Sequence, residues 1–296
     1  MLDTLATIPV AESPGTACFL LLSENGAFLA DTGYAFGAEA AAQNIARALG
    51  GRPLDCILLT HSHFDHVGGL SVMKRHWPDA KVIAHPRVKE ILARQSARAL
   101  MRALDDDTAK KCGAPAAGGN PDEDPVPDMC AAREGDVLRI GGASIRVMEM
   151  PSHTKCSVSY HFQEDDLFVL NETAGVKLKT GEAVPAFVLS YKAALEAIAR
   201  TEKTAPRRML ISHLGEISGE DVTQYLKDAR AAARAAAELV LTRHRKGESP
   251  DAILDACTER FYVGSLREYQ PVEIFQSNMR AMIPRLIAET EAEADR

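Results

Sequence analysis

Basic charge is in deficit in this 296-residue chain: 34 Lys and Arg stand against 41 Asp and Glu, a net charge of -7. That argues against a general phosphate-backbone partner, although a local basic patch stays compatible with it. Aromatic residues are scarce at 5%, with Trp77 the single tryptophan. No run approaches the ~20 apolar residues of a membrane span. The first fifteen residues contain no Lys or Arg and no apolar run of signal-peptide length, so a cytoplasmic protein is expected. None of the six cysteines forms a Cys-x-x-Cys pair. Free thiols in a reducing compartment are the expectation, with Cys112 and Cys130 the pair that oxidation could join. There is also no G-x-S-x-G elbow, no P-loop and no Rossmann glycine pattern.

What is present is an ordinary globular composition, 46% hydrophobic and 25% charged, in a chain long enough to bury a large core without disulfides or structural metal. Strands and helices alternate over the first two thirds. Strands are predicted at 16–22, 27–30, 55–59, 81–84, 136–140, 144–150, 157–162, 167–170 and 208–211, and helices at 38–49, 70–76 and 191–200. Residues 87–111 read as helical and 113–128, rich in Gly, Pro and Asp, as loop. Together, 87–128 look like an insertion. Beyond residue 218 the pattern becomes purely helical, with a long amphipathic helix over 219–246 and two more starting at Ser249-Pro250 and Pro271. Pro284 is expected to kink or interrupt the last. The division expected is a mixed domain over 1–216 and a helical extension over 217–296.

Residues 61–66 read His-x-His-x-Asp-His. From the chain's own composition, chance produces this pattern roughly once in two thousand such chains. The run follows an apolar strand and precedes Gly68-Gly69. At a strand end, residues two apart point the same way, so His61 and His63 can share one metal. Asp65 and His66, where the chain turns, can address a second. Imidazole and carboxylate suit Zn, Fe, Mn and Ni.

The segment Thr60-His61-Ser62-His63-Phe64-Asp65-His66-Val67-Gly68-Gly69 resembles the signature of the metallo-β-lactamase superfamily, a four-layer αββα sandwich with metals at one edge. The resemblance extends over residues 10–215. It includes Asp31-Thr32-Gly33, His153 in Pro151-Ser152-His153-Thr154, Glu172 after Leu167-Phe168-Val169-Leu170-Asn171, and His213 after Met209-Leu210-Ile211-Ser212. It implies two divalent metal ions, zinc first and iron or manganese as alternatives. His61, His63 and His153 would hold one, Asp65, His66 and His213 the other, and Glu172 would bridge them. Three positions depart from the family pattern: Glu172 stands where Asp is usual, Ser152 replaces Gly, and Lys155-Cys156 replaces Pro-Gly.

The implied activity is hydrolysis by a hydroxide shared between two cations, with Asp65 accepting or relaying a proton. Relatives such as glyoxalase II and the quinolone-signal thioesterase carry added helices, so a small-molecule thioester, ester or lactone is the expected substrate. Lys155, Tyr191 and His85 are candidate substrate-binding residues. The lactone reading is weakened because quorum-sensing lactonases carry Tyr three residues after the bridging carboxylate, and here that position is Gly175. Phosphodiester hydrolysis is the second hydrolytic option. Two further readings stay open: a di-iron redox centre, for which no flavin-binding segment follows, and a metal-binding regulatory protein whose surface meets a partner. No nucleic-acid or membrane partner is expected, and the helical extension is either a cap on the site or a homodimer surface.

Overall fold

The computed structural model describes residues 5–11, 13–118 and 125–294. Part of the loop read at 113–128, residues 119–124, lies outside them. Two compact units emerge, one formed by 1–149 with 156–171 and the other by 150–155 with 172–296.

In the first unit, β1 (Ala6–Pro9), β2 (Phe19–Leu22), β3 (Ala27–Ala30), β4 (Cys56–Leu58), β5 (Lys81–Ala84) and β6 (Met129–Ala131) form one sheet in that order. The first three pair antiparallel, and β3 to β6 run parallel. The central parallel strands β3 to β5 are apolar runs buried on both faces, as a covered parallel sheet requires. Alternate residues separate the faces. Leu29, Ile57 and Val82 join a core with Ala38, Ala41, Ala42 and Ile45 of α1 (Ala38–Leu49). On the other face Phe28 meets Phe162 edge-on, at 5.2 Å between ring centroids.

Helices α2 (Phe64–Val67) and α3 (Leu70–His76) follow β4; α4 (Pro86–Leu92) and α5 (Gln95–Lys111) follow β5. The stretch read as helical over 87–111 is thus two helices, broken at Ala93-Arg94. Strands β7 (Val137–Ile140), β8 (Ala143–Glu149), β9 (Val158–Phe162) and β10 (Leu167–Leu170) complete the unit as an antiparallel meander. Tyr160, fully buried in β9, donates its hydroxyl to the Leu59 carbonyl at 2.9 Å, which ties this sheet to the segment entering the histidine motif.

The second unit opens with a single 3-10 turn, Glu172–Ala174, and the short pair β11 (Val176–Lys177) and β12 (Ala183–Val184). Helix α6 (Tyr191–Thr204) leads to a hairpin of β13 (Arg208–Ile211) and β14 (Gly215–Ser218). Then come α7 (Glu220–Arg245), α8 (Pro250–Phe261), α9 (Leu266–Tyr269) and α10 (Val272–Ala294). Ser190 and Ser249 cap α6 and α8 by accepting from the backbone N–H three residues on. Helix α10 continues through Pro284 instead of stopping there. One backbone hydrogen bond is forfeited, while Met279, Met282, Ile283 and Leu286 on either side of the proline stay buried. All six cysteines are free thiols. Among the described residues no helix is long and apolar enough to cross a membrane.

Candidate metal centre

Strand β4 delivers the motif. Beyond its end, Thr60 donates its backbone N–H to Asp31 Oδ1 and its hydroxyl to Asp31 Oδ2, both at 2.8 Å. With that proton directed to Asp31, Thr60 Oγ1 accepts from His61 Nδ1 at 3.1 Å. Asp31 Oδ2 also takes the Nδ1–H of His66 at 2.8 Å. With Thr60 Oγ1 and Asp31 Oδ2 as acceptors, the proton of both rings is assigned to Nδ1, leaving Nε2 as the lone-pair donor, the tautomer that a metal at Nε2 needs. Burial pushes the Asp31 carboxyl above the ordinary range, and its contacts with His66 and Thr60 pull it back.

His63, in extended conformation, is the residue from which α2 starts. His61 and His63 therefore precede the helix, whereas Asp65 and His66 lie within its single turn. The His61 ring centroid is 4.6 Å from that of His63 and 4.0 Å from that of His66. A donor atom of His61 lies within 4.8 Å of one on His63 and of one on His66, and the same holds for Asp65 and His66. The turn needs Gly69. A Cβ there would stand 2.4 Å from the Thr32 carbonyl oxygen, so the helix start could not approach the strand loop. That approach lets Thr32 N–H donate to the His66 carbonyl and Gly69 N–H to the Gly33 carbonyl.

The second unit holds the other three expected ligands. His153 is buried, and its Nδ1 faces the Ala186 carbonyl, so the same tautomer logic leaves Nε2 as the donor. Glu172 opens the 3-10 turn, also buried, with Oε1 2.7 Å from His213 Nε2. His213, beyond β13, has left-handed backbone at φ 68°, and Asp31, directly after β3, has it at φ 55°. Residues with side chains held there cost roughly 1–3 kcal/mol each and concentrate at functional sites. The turn after Glu172 is closed by Gly175, whose N–H donates to the Glu172 carbonyl. Gly175 has φ 98°, and a Cβ would lie 2.8 Å from the Val184 carbonyl oxygen, so no side chain fits at this position. Tyr225 of α7, fully buried, donates its hydroxyl to the Gly175 carbonyl at 3.0 Å.

The three expected substrate-binding residues fall in different settings. Lys155 is exposed in the turn beyond His153. Tyr191 is the first residue of α6, half-buried, with its N–H held by Glu289 at 2.8 Å and its ring 5.5 Å from Phe187. His85 is the cap of α4: its Nδ1 accepts from Arg87 N–H at 3.1 Å, and Nε2 lies 3.6 Å from Glu149. Burial lowers the His85 pKa and favours the neutral ring, which can accept that bond. Of the residues whose hydrogen bonds meet the expected ligands or their turns, Thr60 lies in the signature segment and Ser152 stands out only as a departure from Gly, while Thr173 and Tyr225 carry no sequence signal of their own.

The model of the metallo-beta-lactamase superfamily matches residues 14–177, more than half of the chain and six of the seven expected ligands, with His213 beyond its end. The chain belongs to the metallo-beta-lactamase superfamily. Members of this superfamily bind divalent metals, typically zinc. A hydroxyacylglutathione hydrolase of Rhodopseudomonas palustris is 32% identical over 116 residues, 39% of this chain and 32% of that protein. A probable metallo-hydrolase of Bacillus subtilis is 31% identical over 115 residues, 38% of this chain and 46% of that protein. The chain thus spans about a third to under half the length of these curated relatives. Among solved structures, a metallo-beta-lactamase family protein of Thermus thermophilus matches with a TM-score of 0.67 at 19% identity. That match covers 98% of this chain and 94% of that one. The fold is therefore the superfamily's, with mixed sheets, flanking helices and added C-terminal helices.

Proposed function

We propose that this superfamily member is a metal-dependent hydrolase of small-molecule thioesters or esters with a dinuclear centre. His61, His63 and His153 would hold one divalent ion, Asp65, His66 and His213 the other, and Glu172 would join the two. The observation that carries this reading is the donor chemistry. His61, His66 and His153 each have Nδ1 engaged by a hydroxyl, carboxylate or carbonyl oxygen, and a buried glutamate is paired with His213. Imidazole with carboxylate donors suits zinc first, and iron or manganese next.

Divalent ions bound there supply Lewis acidity and bring the pKa of water toward neutrality. The chain's own residues do the rest. Asp31 and Thr60 hold His61 and His66 in one tautomer. Asp65, partly exposed in the turn of α2, would accept a proton and pass it to a departing thiolate or alkoxide. A thioester or ester is favoured over a lactone, because the Gly175 backbone leaves no room for the aromatic residue that the resembling lactonases carry there. The named activities of the curated relatives, a hydroxyacylglutathione hydrolase among them, support the thioester class.

The test is turnover of a panel of acyl thioesters, aryl esters, lactones and phosphodiesters by protein reconstituted with zinc, iron or manganese. Hydrolysis of thioesters or esters that disappears in His63→Ala and His153→Ala is expected. A fully loaded protein that turns over none of the panel contradicts the reading and favours a regulatory metal protein; selective phosphodiester cleavage replaces the substrate class.

A further inference from the structure

Two crossing hydrogen bonds join the turn that carries His153 to the turn that carries Glu172. Ser152 Oγ–H donates to the Thr173 carbonyl at 2.9 Å, and Thr173 Oγ1–H donates to the Met150 carbonyl at 2.7 Å. Ser152 immediately precedes His153, and Thr173 immediately follows Glu172. Both hydroxyl residues are fully buried. The Ser152 carbonyl in turn accepts the N–H groups of Val188 and Leu189 at 3.1 and 2.8 Å, close in sequence to the Ala186 carbonyl that faces His153. The two turns are thus joined to each other and to the 186–189 segment by hydrogen bonds. A glycine at 152, the residue of the turn it resembles, offers no hydroxyl to Thr173. Removing either hydroxyl takes one donor from a buried carbonyl, Thr173 or Met150, and loosens the link between the turns; the Met150 carbonyl keeps the Ser152 N–H at 2.9 Å.

We propose that Ser152 and Thr173 are a matched pair of positioning residues that hold His153 and Glu172 at a fixed separation, making a single preorganised donor unit of two turns 19 residues apart in sequence. The pair sets where the longer Glu172 side chain reaches, so its effect is on metal affinity and ligand geometry and not on a chemical step. This rests on the reading that His153 and Glu172 hold metal.

The test uses the full-length protein loaded with cobalt(II), with affinity measured by chelator competition and ligand geometry by the visible absorption bands. Ser152→Ala, Ser152→Gly and Thr173→Val are expected to weaken cobalt binding about tenfold and to shift or weaken the bands, the scale typical of residues that orient ligands. Thr173→Ser, which keeps the hydroxyl, is expected to match wild type. The double variant Ser152→Ala/Thr173→Val is expected to lose less than the product of the single losses, because both break one clamp. Near-UV circular dichroism separates these effects from unfolding; if an alanine or valine variant does not fold, the Ser152→Gly and Thr173→Ser comparison decides. Wild-type affinity and bands in folded Ser152→Gly and Thr173→Val overturn the pairing while His153→Ala and Glu172→Ala still lose cobalt. Unchanged cobalt binding in His153→Ala and Glu172→Ala overturns the metal reading itself, and the pairing with it.

Discussion

Asp31 Oδ2 lies 2.8 Å from His66 Nδ1, with both side chains buried and Thr60 donating twice to the same carboxylate. Asp31 therefore fixes which ring nitrogen of His66 carries the proton, and through it the nitrogen that a metal would meet. Asp31→Asn keeps the shape but replaces one accepting oxygen with a donor. Either the Thr60 N–H or the His66 Nδ1–H then faces an amide donor, and the arrangement that fixes the His66 tautomer is disturbed. Metal affinity measured by chelator competition is expected to fall about 10–100-fold. Unchanged affinity in a folded Asp31→Asn protein contradicts this role.

Glu172 provides a second test. Glu172→Gln keeps size but removes a buried negative charge beside His213. A loss of at least about tenfold in metal affinity or turnover is expected if Glu172 is a ligand, since a bound cation is often the largest local charge in a site and its carboxylate partner counters it. Glu172→Asp shortens the side chain by one methylene in a turn closed by Gly175 and braced by Tyr225. With the backbone held there, Asp is expected to behave like Gln. Wild-type turnover for Glu172→Asp shows instead a turn mobile enough to follow the shorter residue, and wild-type metal affinity and turnover for Glu172→Gln show that the residue is not a ligand.

The brace from α7 gives a stability prediction. Tyr225→Phe removes the hydroxyl that satisfies the Gly175 carbonyl in a fully buried site. A loss of about 1–3 kcal/mol in the urea unfolding free energy is expected. Deletion of 219–296 removes this donor together with the buried stripe of Val222, Leu226, Ala229 and Ala233, and poor solubility is expected. A soluble, fully active truncation contradicts an integral role for α7 and leaves the tail as a partner surface.

Asp105 of α5 sets a pH dependence. It is buried, accepts the N–H groups of Ala35 and Phe36 at 2.8 and 3.1 Å, and has its pKa raised from 3.8 to about 6, chiefly by burial. Between these values the folded protein binds the proton and the unfolded chain does not. The Asp105 contribution to stability therefore falls as pH rises from about 4 to about 6, and is most favourable below the unfolded value. The difference in unfolding free energy between wild type and Asp105→Asn is expected to shift against wild type across that window. A difference independent of pH contradicts the raised value.

Much of the fold was legible because its strongest signals are local. Helices 38–49 and 70–76 and strands 27–30, 81–84, 167–170 and 208–211 fall where periodicity and turn residues place them. Strand β6 (Met129–Ala131) was not. It is three residues long, mostly exposed, and gains its identity only from pairing with β5. Strand β14 likewise exists through its hairpin with β13, and Gly-Glu-Ile-Ser alone carries no strand run. The break at Ala93-Arg94 lacks Gly or Pro; Arg94 turns to extended backbone there, at φ -89° and ψ 119°, and α5 starts after it. At the centre, the His-x-His-x-Asp-His run announces itself by spacing. The contacts made by Thr60, Ser152, Thr173 and Tyr225 join residues brought together by folding, and a hydroxyl that donates to a distant carbonyl leaves no pattern along the chain.

The metal content of the protein after reconstitution and removal of loosely bound ions tests the dinuclear centre most directly. Elemental analysis is expected to give about two ions per chain, falling in His63→Ala, His153→Ala and Glu172→Gln with retention of the near-UV circular dichroism spectrum. A stable value of one ion or none at saturating metal, unchanged by those substitutions, contradicts a centre built from these seven side chains.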